Sequence, residues 1–458
     1  MRTFASIFSL AAVVGGLVCG STAAAATPNI LFIFADDLGY AGLSATGCKE
    51  IRTPNIDSLA ASGVRFANSY VTGCVCSPSR AGLLTGRYQQ RFGFDANAEG
   101  RSRDDRQPRA LDIKQTTVAQ RLKERGYATG LVGKWHQGVG DGYLPNDRGF
   151  DEFYGLLPHG VGAGTAAQPV PIWRNRQQVE VPADHNVAWG KEAAAFIERH
   201  KDAPFFLYLA FTAVHAPHGA PQSYLDRFAS AEPRKQRYLA MLALLDDMVG
   251  GVLAKLREHK LDENTLIFFA SDNGGPAGSP TSNGVFRGGK WSLWEGGIRS
   301  PIFIQWKGHV AGGRELPYMT TQLDWLPTAL AAAGVEAKPD WQLDGVNLLP
   351  VLEGKSNQPP HNDLYWRFGI QYAVRQGDWK LLKPSIDDQP MLFNLAADPG
   401  EQKDLAAEQP AKVSELQKLW DAWNAKNEPP RWIDDRWNGL EQKAKSEKRA
   451  AKKAAKAK

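Results

Sequence analysis

The 458-residue chain is long enough for one large domain and a smaller one, and with 43% hydrophobic and 22% charged residues it is not a disordered polymer. Its formal charge of +5 comes from the end of the chain, where Lys443–Lys458 holds eight Lys or Arg against one Glu. The rest is close to neutral, so nucleic acid, which is held by dense positive charge, is not an expected partner.

Residues 1–26 read as a signal peptide. Arg2 gives the positive start, Phe4 to Val18 is largely apolar, and Ala23–Ala26 supplies small residues for cleavage. The apolar run is short for a membrane span and no later stretch replaces it, so a periplasmic or secreted protein is expected.

Asn29–Phe34 is apolar on both faces, as in a strand buried between helix layers, and it ends in Asp36-Asp37. A helix follows, with Thr53 as N-cap, Pro54 at its first position, Ile56, Leu59 and Ala60 on one face, and Gly63 as its stop. Cys76-Ser77-Pro78-Ser79-Arg80 leads into a helix through Ala81–Leu84. Thr117–Arg125 reads as a helix ended by Gly126, and Ala128–Val132 as a strand. Phe205–Phe211 and Leu266–Ala270 are further strands, with a helix near Tyr238–Leu256 between them. This alternation predicts an α/β sandwich with a mainly parallel sheet over residues 27–350. Beyond it, Leu364–Trp366, Tyr372–Arg375, Lys380–Lys383 and Met391–Asn394 read as short strands, and Val413–Trp423 as a helix. They predict a small C-terminal antiparallel sheet with one helix over 351–430. Residues 431–458 read as a basic Lys/Ala-rich, solvated tail.

Four strand ends deliver polar groups. Asp36-Asp37 follow the first strand, Lys134 and His136 the second, His215 the third, and Asp272-Asn273 the fourth. In open α/β sheets, ligands bind beyond the carboxyl ends of the strands. Asp36, Asp37, Asp272 and Asn273 offer only oxygen, which suits Ca²⁺ or Mg²⁺ rather than Zn²⁺. Each pair alone also reads as an ordinary turn. Cys76 falls at a helix N-terminus, where backbone N–H groups favour negative charge, and Arg80 returns to the same face four residues later. A buried structural thiol is the alternative reading. Lys134 and His136 alternate, so an extended segment points them the same way. With His215 and Lys290 they describe a pocket for a tetrahedral oxyanion.

Together these runs resemble the type I sulfatase family of the alkaline phosphatase superfamily, on N-acetylgalactosamine-6-sulfatase- and arylsulfatase-like members. Cys76-Ser77-Pro78-Ser79-Arg80 matches the C-x-P-S-R signature, and Leu84-Thr85-Gly86-Arg87-Tyr88 extends it. Gly133-Lys134-Trp135-His136, Ser271-Asp272-Asn273-Gly274 and Gly289-Lys290 match further signatures. The resemblance implies a mixed central sheet and a nucleophile made by oxidising Cys76 to formylglycine, with a maturation enzyme as a partner during biosynthesis. It implies one Ca²⁺ held by Asp36, Asp37, residue 76, Asp272 and Asn273. One hydroxyl of the aldehyde hydrate attacks sulfur with help from Asp272. Lys134, His215 and Lys290 contact substrate, either His215 or Lys290 protonates the leaving oxygen, and Arg80 and Lys134 stabilise the ionised diol. His136 takes the second hydroxyl's proton and so expels sulfate.

With Cys76 modified and Cys19 lost with the signal peptide, Cys48 and Cys74 remain as a disulfide or as two free thiols. The family resemblance favours a sulfated carbohydrate as substrate. The alternatives are small aryl sulfates, a phosphatase or phosphonate monoester hydrolase reaction, and a non-catalytic glycan-binding protein. Asp95, Asn97, His159, Trp173, Arg174, Trp366 and Arg367 are candidates for the substrate rim, each also readable as a packing or loop residue.

Overall fold

The computed structural model describes residues 27–98, 108–157, 170–280 and 282–432. The signal peptide expected at 1–26, His159 and the chain from 433 onward lie outside the described residues.

Ten strands form the central sheet. They are β1 (Asn29–Ala35), β2 (Val64–Tyr70), β3 (Ala128–Lys134), β4 (Glu152–Leu156), β5 (Ile172–Arg174), β6 (Gln177–Val179), β7 (Phe205–Ala210), β8 (Thr265–Ser271), β9 (Phe303–Gln305) and β10 (Arg314–Thr321). Their order is β10-β2-β9-β8-β1-β7-β3-β4-β5-β6. The inner strands β8, β1, β7, β3 and β4 are parallel to one another. Antiparallel partners appear outside them, at β9 and at β5-β6. The sheet is therefore mixed and mainly parallel, as expected.

All seven residues of β1 are buried because both faces of the sheet are covered. Ile30, Phe32 and Phe34 enter one core with Leu83, Leu84, Val118, Leu122 and Trp325. Leu31, Ile33 and Ala35 enter the other, with Ile56, Leu59, Trp189, Phe196 and Leu242. Phe32 sits edge-on to Phe206, Phe268 and Trp325, with ring centroids 5.1, 5.0 and 5.1 Å away. Burying such a ring is worth about 1.5–3 kcal/mol before the contacts between rings are added.

The expected helices form. The first spans Pro54–Ser62, and its free N–H groups are met from a distance: Asp246 accepts from Asn55 at 3.2 Å and from Ile56 at 2.8 Å. The helix after the cysteine run starts at Cys76 itself and ends at Thr85. The long one spans Pro233–Glu258. The strands missing from the sequence reading lie mostly toward the margins of the sheet. β5 and β6 have three residues each, too few to show a period, and β2 mixes polar and apolar residues in Val-Arg-Phe-Ala-Asn-Ser-Tyr.

A second, antiparallel sheet holds β11 (Asp363–Phe368), β12 (Gln371–Gln376), β13 (Trp379–Lys383) and β14 (Met391–Asn394) in that order. Leu364, Trp366, Phe368 and Leu382 pack against Tyr70, Leu293 and Ile298 of the large sheet's side. Val374, Leu381 and Leu392 face the helix Pro410–Asn424 through Leu416. The small sheet thus seats one face on the loop that carries Lys290. Among the described residues, no helix is long and apolar enough to cross a membrane.

Candidate active site

Strand register brings the polar groups to one edge. Phe34 pairs with Ala210 and Ala270, Ala35 with Ser271, and Gly133 with Ala210, so four strands end together. Gly133 is required there: its φ is +109°, and a Cβ would lie 1.9 Å from the carbonyl oxygen of Ala210.

Around that edge the side chains interlock. The Cys76 thiol lies 3.4 Å from Asp36 Oδ1, and Lys134 Nζ donates to Asp36 Oδ2 at 2.6 Å. Arg80 donates from Nε at 3.0 Å and from Nη2 at 2.8 Å to Asp272 Oδ2, and lies 3.8 Å from Asp36. Lys290 Nζ reaches Asp37 Oδ1 at 2.8 Å and Oδ2 at 2.9 Å. His215 Nε2 is 3.6 Å from Asp37 Oδ2 and keeps part of its ring in solvent. Asp272 Oδ1 accepts the backbone N–H of Asp37 at 3.1 Å. Asp36, Asp37, Cys76, Arg80, Lys134, His215, Asp272 and Lys290 are thus linked by direct contacts. Ligand atoms of Asp36, Asp37, Cys76 and His215 lie within 4.8 Å of one another.

His136 differs from expectation in one respect. β3 ends at Lys134 and His136 takes a φ of 56°, so the segment is not extended across the pair and simple alternation does not apply. The residue is buried, and its carbonyl accepts the Ser77 hydroxyl, which fixes it beside the start of the Cys76 helix.

The electrostatics follow from burial and charge. Burial alone would raise Asp36, but Lys134, His215 and Arg80 outweigh it and hold the carboxyl at about 2. Burial, then Asp272 and Asp36, push the Cys76 thiol well above its usual range. A cysteine so placed stays protonated and is a poor nucleophile as it stands. Burial works against the Lys134 and Lys290 ammonium groups, yet the carboxylate of Asp36 beside the first and that of Asp37 beside the second raise both.

Residues 28–335 match the family model described as Sulfatase. The chain belongs to the sulfatase family. Residues 284–426 also match the model described as N-sulphoglucosamine sulphohydrolase, C-terminal. Human N-acetylgalactosamine-6-sulfatase is 33% identical over 83% of this chain and 82% of its own length. Bovine arylsulfatase A is 35% identical over 84% of each. The solved structure of Ps i-CgsB in complex with k-i-k-neocarrahexaose is 31% identical, with a TM-score of 0.83 over 92% of this chain and 98% of that one. The protein is accordingly a sulfuric ester hydrolase.

The sulfatase site fits a divalent cation. Asn273 Nδ2 donates to Asp37 Oδ1 at 2.7 Å, while Asn273 Oδ1 is buried and, among the described residues, accepts no hydrogen bond. A buried acceptor without a donor, facing a set of carboxylates, is what a hard cation satisfies. The loops that carry these groups are tied together. Gly274 N–H donates to Gly297 O at 3.0 Å and Lys290 N–H to Gly275 O at 3.2 Å.

Most of the expected rim turns out to be framework. Arg367 makes paired bonds to Asp95 at 2.8 and 3.0 Å and also reaches Asn424 and the Glu428 carbonyl, so its donors are occupied inside the protein. Trp366 is buried and donates to the Val71 carbonyl. Asn97 accepts the Ser77 N–H and supports the start of the Cys76 helix. Trp173 packs against the core and Arg174 pairs with Glu192 at 2.7 Å. Cys48 and Cys74 are free thiols in separate apolar clusters, which removes the disulfide alternative.

Two contributors gave no sequence signal. Tyr208 places its hydroxyl 3.4 Å from Arg80 Nη1. Gln371 of the small sheet donates to Trp291 O at 3.0 Å and accepts from Leu293 N–H at 3.1 Å, clamping the loop just after Lys290. Both act across long chain separations that local pattern cannot reveal.

Proposed function

We propose that this sulfatase removes sulfate from a sulfated carbohydrate, working from formylglycine made at Cys76 beside one calcium ion. The observation that carries the reading is the cluster of buried Cys76, Asp36 and Asp37 with His215 at its open side, ringed by Arg80, Lys134 and Lys290. A protonated, buried thiol has little use there as a nucleophile, whereas an oxygen in its place completes a hard-ligand set.

Asp36, Asp37, residue 76, Asp272 and Asn273 would hold the ion. When bound, it neutralises sulfate charge and lowers the pKa of an adjacent hydroxyl. The chain's own groups do the rest. Lys290 and His215 grip the sulfate oxygens, with Lys134 behind them. Either His215 or Lys290, both beside Asp37, protonates the leaving sugar oxygen. Arg80 and Lys134 stabilise negative charge at residue 76, and Asp272 helps to draw a proton from it. His136 takes the proton of the second hydroxyl of the hydrated aldehyde, which returns the carbonyl and releases sulfate. A sugar is favoured because the chain is similar to N-acetylgalactosamine-6-sulfatase and to a protein solved with k-i-k-neocarrahexaose. An exported, periplasmic or secreted protein, matured by a formylglycine-generating enzyme, fits such a substrate.

Bovine arylsulfatase A is as similar as the sugar-named relatives, which supports small aryl sulfates as the second reading. Sulfate release from defined sulfated oligosaccharides, set beside nitrophenyl sulfate, separates the two. Faster release from the sugars is expected; turnover of the aryl ester alone would favour the second reading.

The ion is testable without turnover. Adding Ca²⁺ to chelator-treated protein is expected to raise thermal stability, by about 2.7 kcal/mol at roughly a hundredfold excess over Kd. Asp37→Asn should remove most of that shift. An equal shift in the variant would place the ion elsewhere.

A further inference from the structure

Beside His215 the surface folds into a cavity of about 370 Å³ whose walls come from three segments. Pro217 and His218 come from the loop just after His215, and Pro276 follows Asn273 by three residues. Arg234 and Arg237 enter from the first turns of the helix Pro233–Glu258. The cavity therefore shares two of its three walls with the segments that carry the proposed reaction.

Its charge is unbalanced. Arg234 and Arg237 are exposed, and among the described residues neither guanidinium forms an ion pair. Glu232 is close to both, but its carboxylate caps the helix, accepting the N–H groups of Arg234 at 3.0 Å and Lys235 at 3.1 Å. Lys235, between them in sequence, turns the other way and pairs with Glu50. Of the cations Arg234, Lys235 and Arg237 near the start of this helix, Arg234 and Arg237 line the hollow. His218 adds a partly buried imidazole, set edge-on to Tyr238 with ring centroids 5.4 Å apart. Burial pushes that imidazole below its usual range, against a hydrogen bond to the Val214 backbone, and the Arg234 charge adds to the lowering. It is therefore neutral at neutral pH and suited to a sugar hydroxyl rather than to an anion.

We propose that this hollow is a subsite for a second anionic group, a sulfate or a carboxylate, on the sugar that carries the scissile sulfate or on its neighbour. The inference deepens the sulfated-carbohydrate reading and rests on it. Two unpaired guanidinium groups match the oxygens of either anion, His218 takes a hydroxyl, and Pro217 and Pro276 give apolar walls for a ring face. The site would thus prefer a substrate with two negative charges over one with a single sulfate.

The test is binding of a Cys76→Ala chain, loaded with calcium, to an array of oligosaccharides bearing one sulfate, two sulfates, or one sulfate and a uronate. Doubly charged members should bind roughly tenfold more tightly than singly charged ones. Adding Arg234→Ala and Arg237→Ala should level that preference and leave binding of the singly sulfated members unchanged. If the sulfate and uronate members differ, the better binder identifies the anion. A preference that survives both substitutions, or equal binding of all members before them, would overturn the subsite while leaving the carbohydrate reading intact. If no sugar binds and the unaltered enzyme still cleaves nitrophenyl sulfate, the carbohydrate reading falls and the subsite falls with it. Wild-type kinetics give a second readout: the double variant should raise KM for a doubly charged substrate, with kcat and nitrophenyl sulfate turnover little changed.

Discussion

Cys76→Ala should abolish sulfate-ester hydrolysis, by about 10⁴-fold or more, and leave the fold in place. The side chain is small, and its thiol lies 3.4 Å from Asp36 Oδ1. Its helix is held elsewhere, by Leu83 and Leu84 in the core and by Asn97 on the Ser77 N–H. Loss of the nucleophile is therefore separable from loss of structure. Cys76→Ser sharpens the point. Serine carries one hydroxyl, so it can take up sulfate once but lacks the second hydroxyl that His136 would deprotonate for release. A single round without turnover is expected. Circular dichroism and thermal melting beside initial rates check both variants, and substantial turnover by either would move the nucleophile away from residue 76.

The largest stability effect is expected at Lys380. Its ammonium bridges Glu295 at 2.9 Å and Glu401 at 2.8 Å, and all three side chains are fully buried. Glu295 is also held by the Tyr70 hydroxyl at 2.7 Å and Arg299 at 3.1 Å, and its N–H donates to Glu401 at 2.7 Å. Lys380 belongs to β13 of the small sheet, whereas Glu295 closes the loop that carries Lys290. Removing one partner of such a pair strands the other charges, so Lys380→Met should cost about 3–5 kcal/mol. Burial, opposed by Lys380 and assisted by Glu295, already pushes Glu401 up to about 7. A carboxyl raised in the folded state destabilises nothing below its ordinary value of 4.5 and weighs fully once the pH passes its folded value. Without Lys380 that value cannot fall, so the loss should be larger at pH 8 than at pH 5. Glu401→Gln in the same chain should recover part of it. Denaturant midpoints at the two pH values measure this; a loss below about 1 kcal/mol at both would mean the network contributes no more than a surface pair.

The site was legible in the sequence for a physical reason. Its residues come as short runs at the ends of strongly apolar strands, and a run such as Asp36-Asp37 after Asn29–Ala35 carries strand and ligand signals together. The same holds for Cys76, whose run leads straight into the helix that presents it. What was illegible depends on distance in the chain. Arg367 reads as an exposed recognition group until Asp95, hundreds of positions away, is seen to occupy it. Gln371, Tyr208 and the Glu295–Lys380–Glu401 network are of the same kind. His136 was found by motif, yet its backbone turn was hidden, because nothing local announces a positive φ in a residue other than glycine.

The central claim is the chemical state of residue 76 in the working enzyme. The decisive measurement is the mass of the tryptic peptide Phe66–Arg80 from protein made in its native host, read alongside the sulfatase activity of the same preparation. An active preparation should contain this peptide lighter than its cysteine form by the difference between CH₂–SH and CHO, and the aldehyde should react with a hydrazide. An active preparation in which the peptide carries only the unmodified thiol would contradict it.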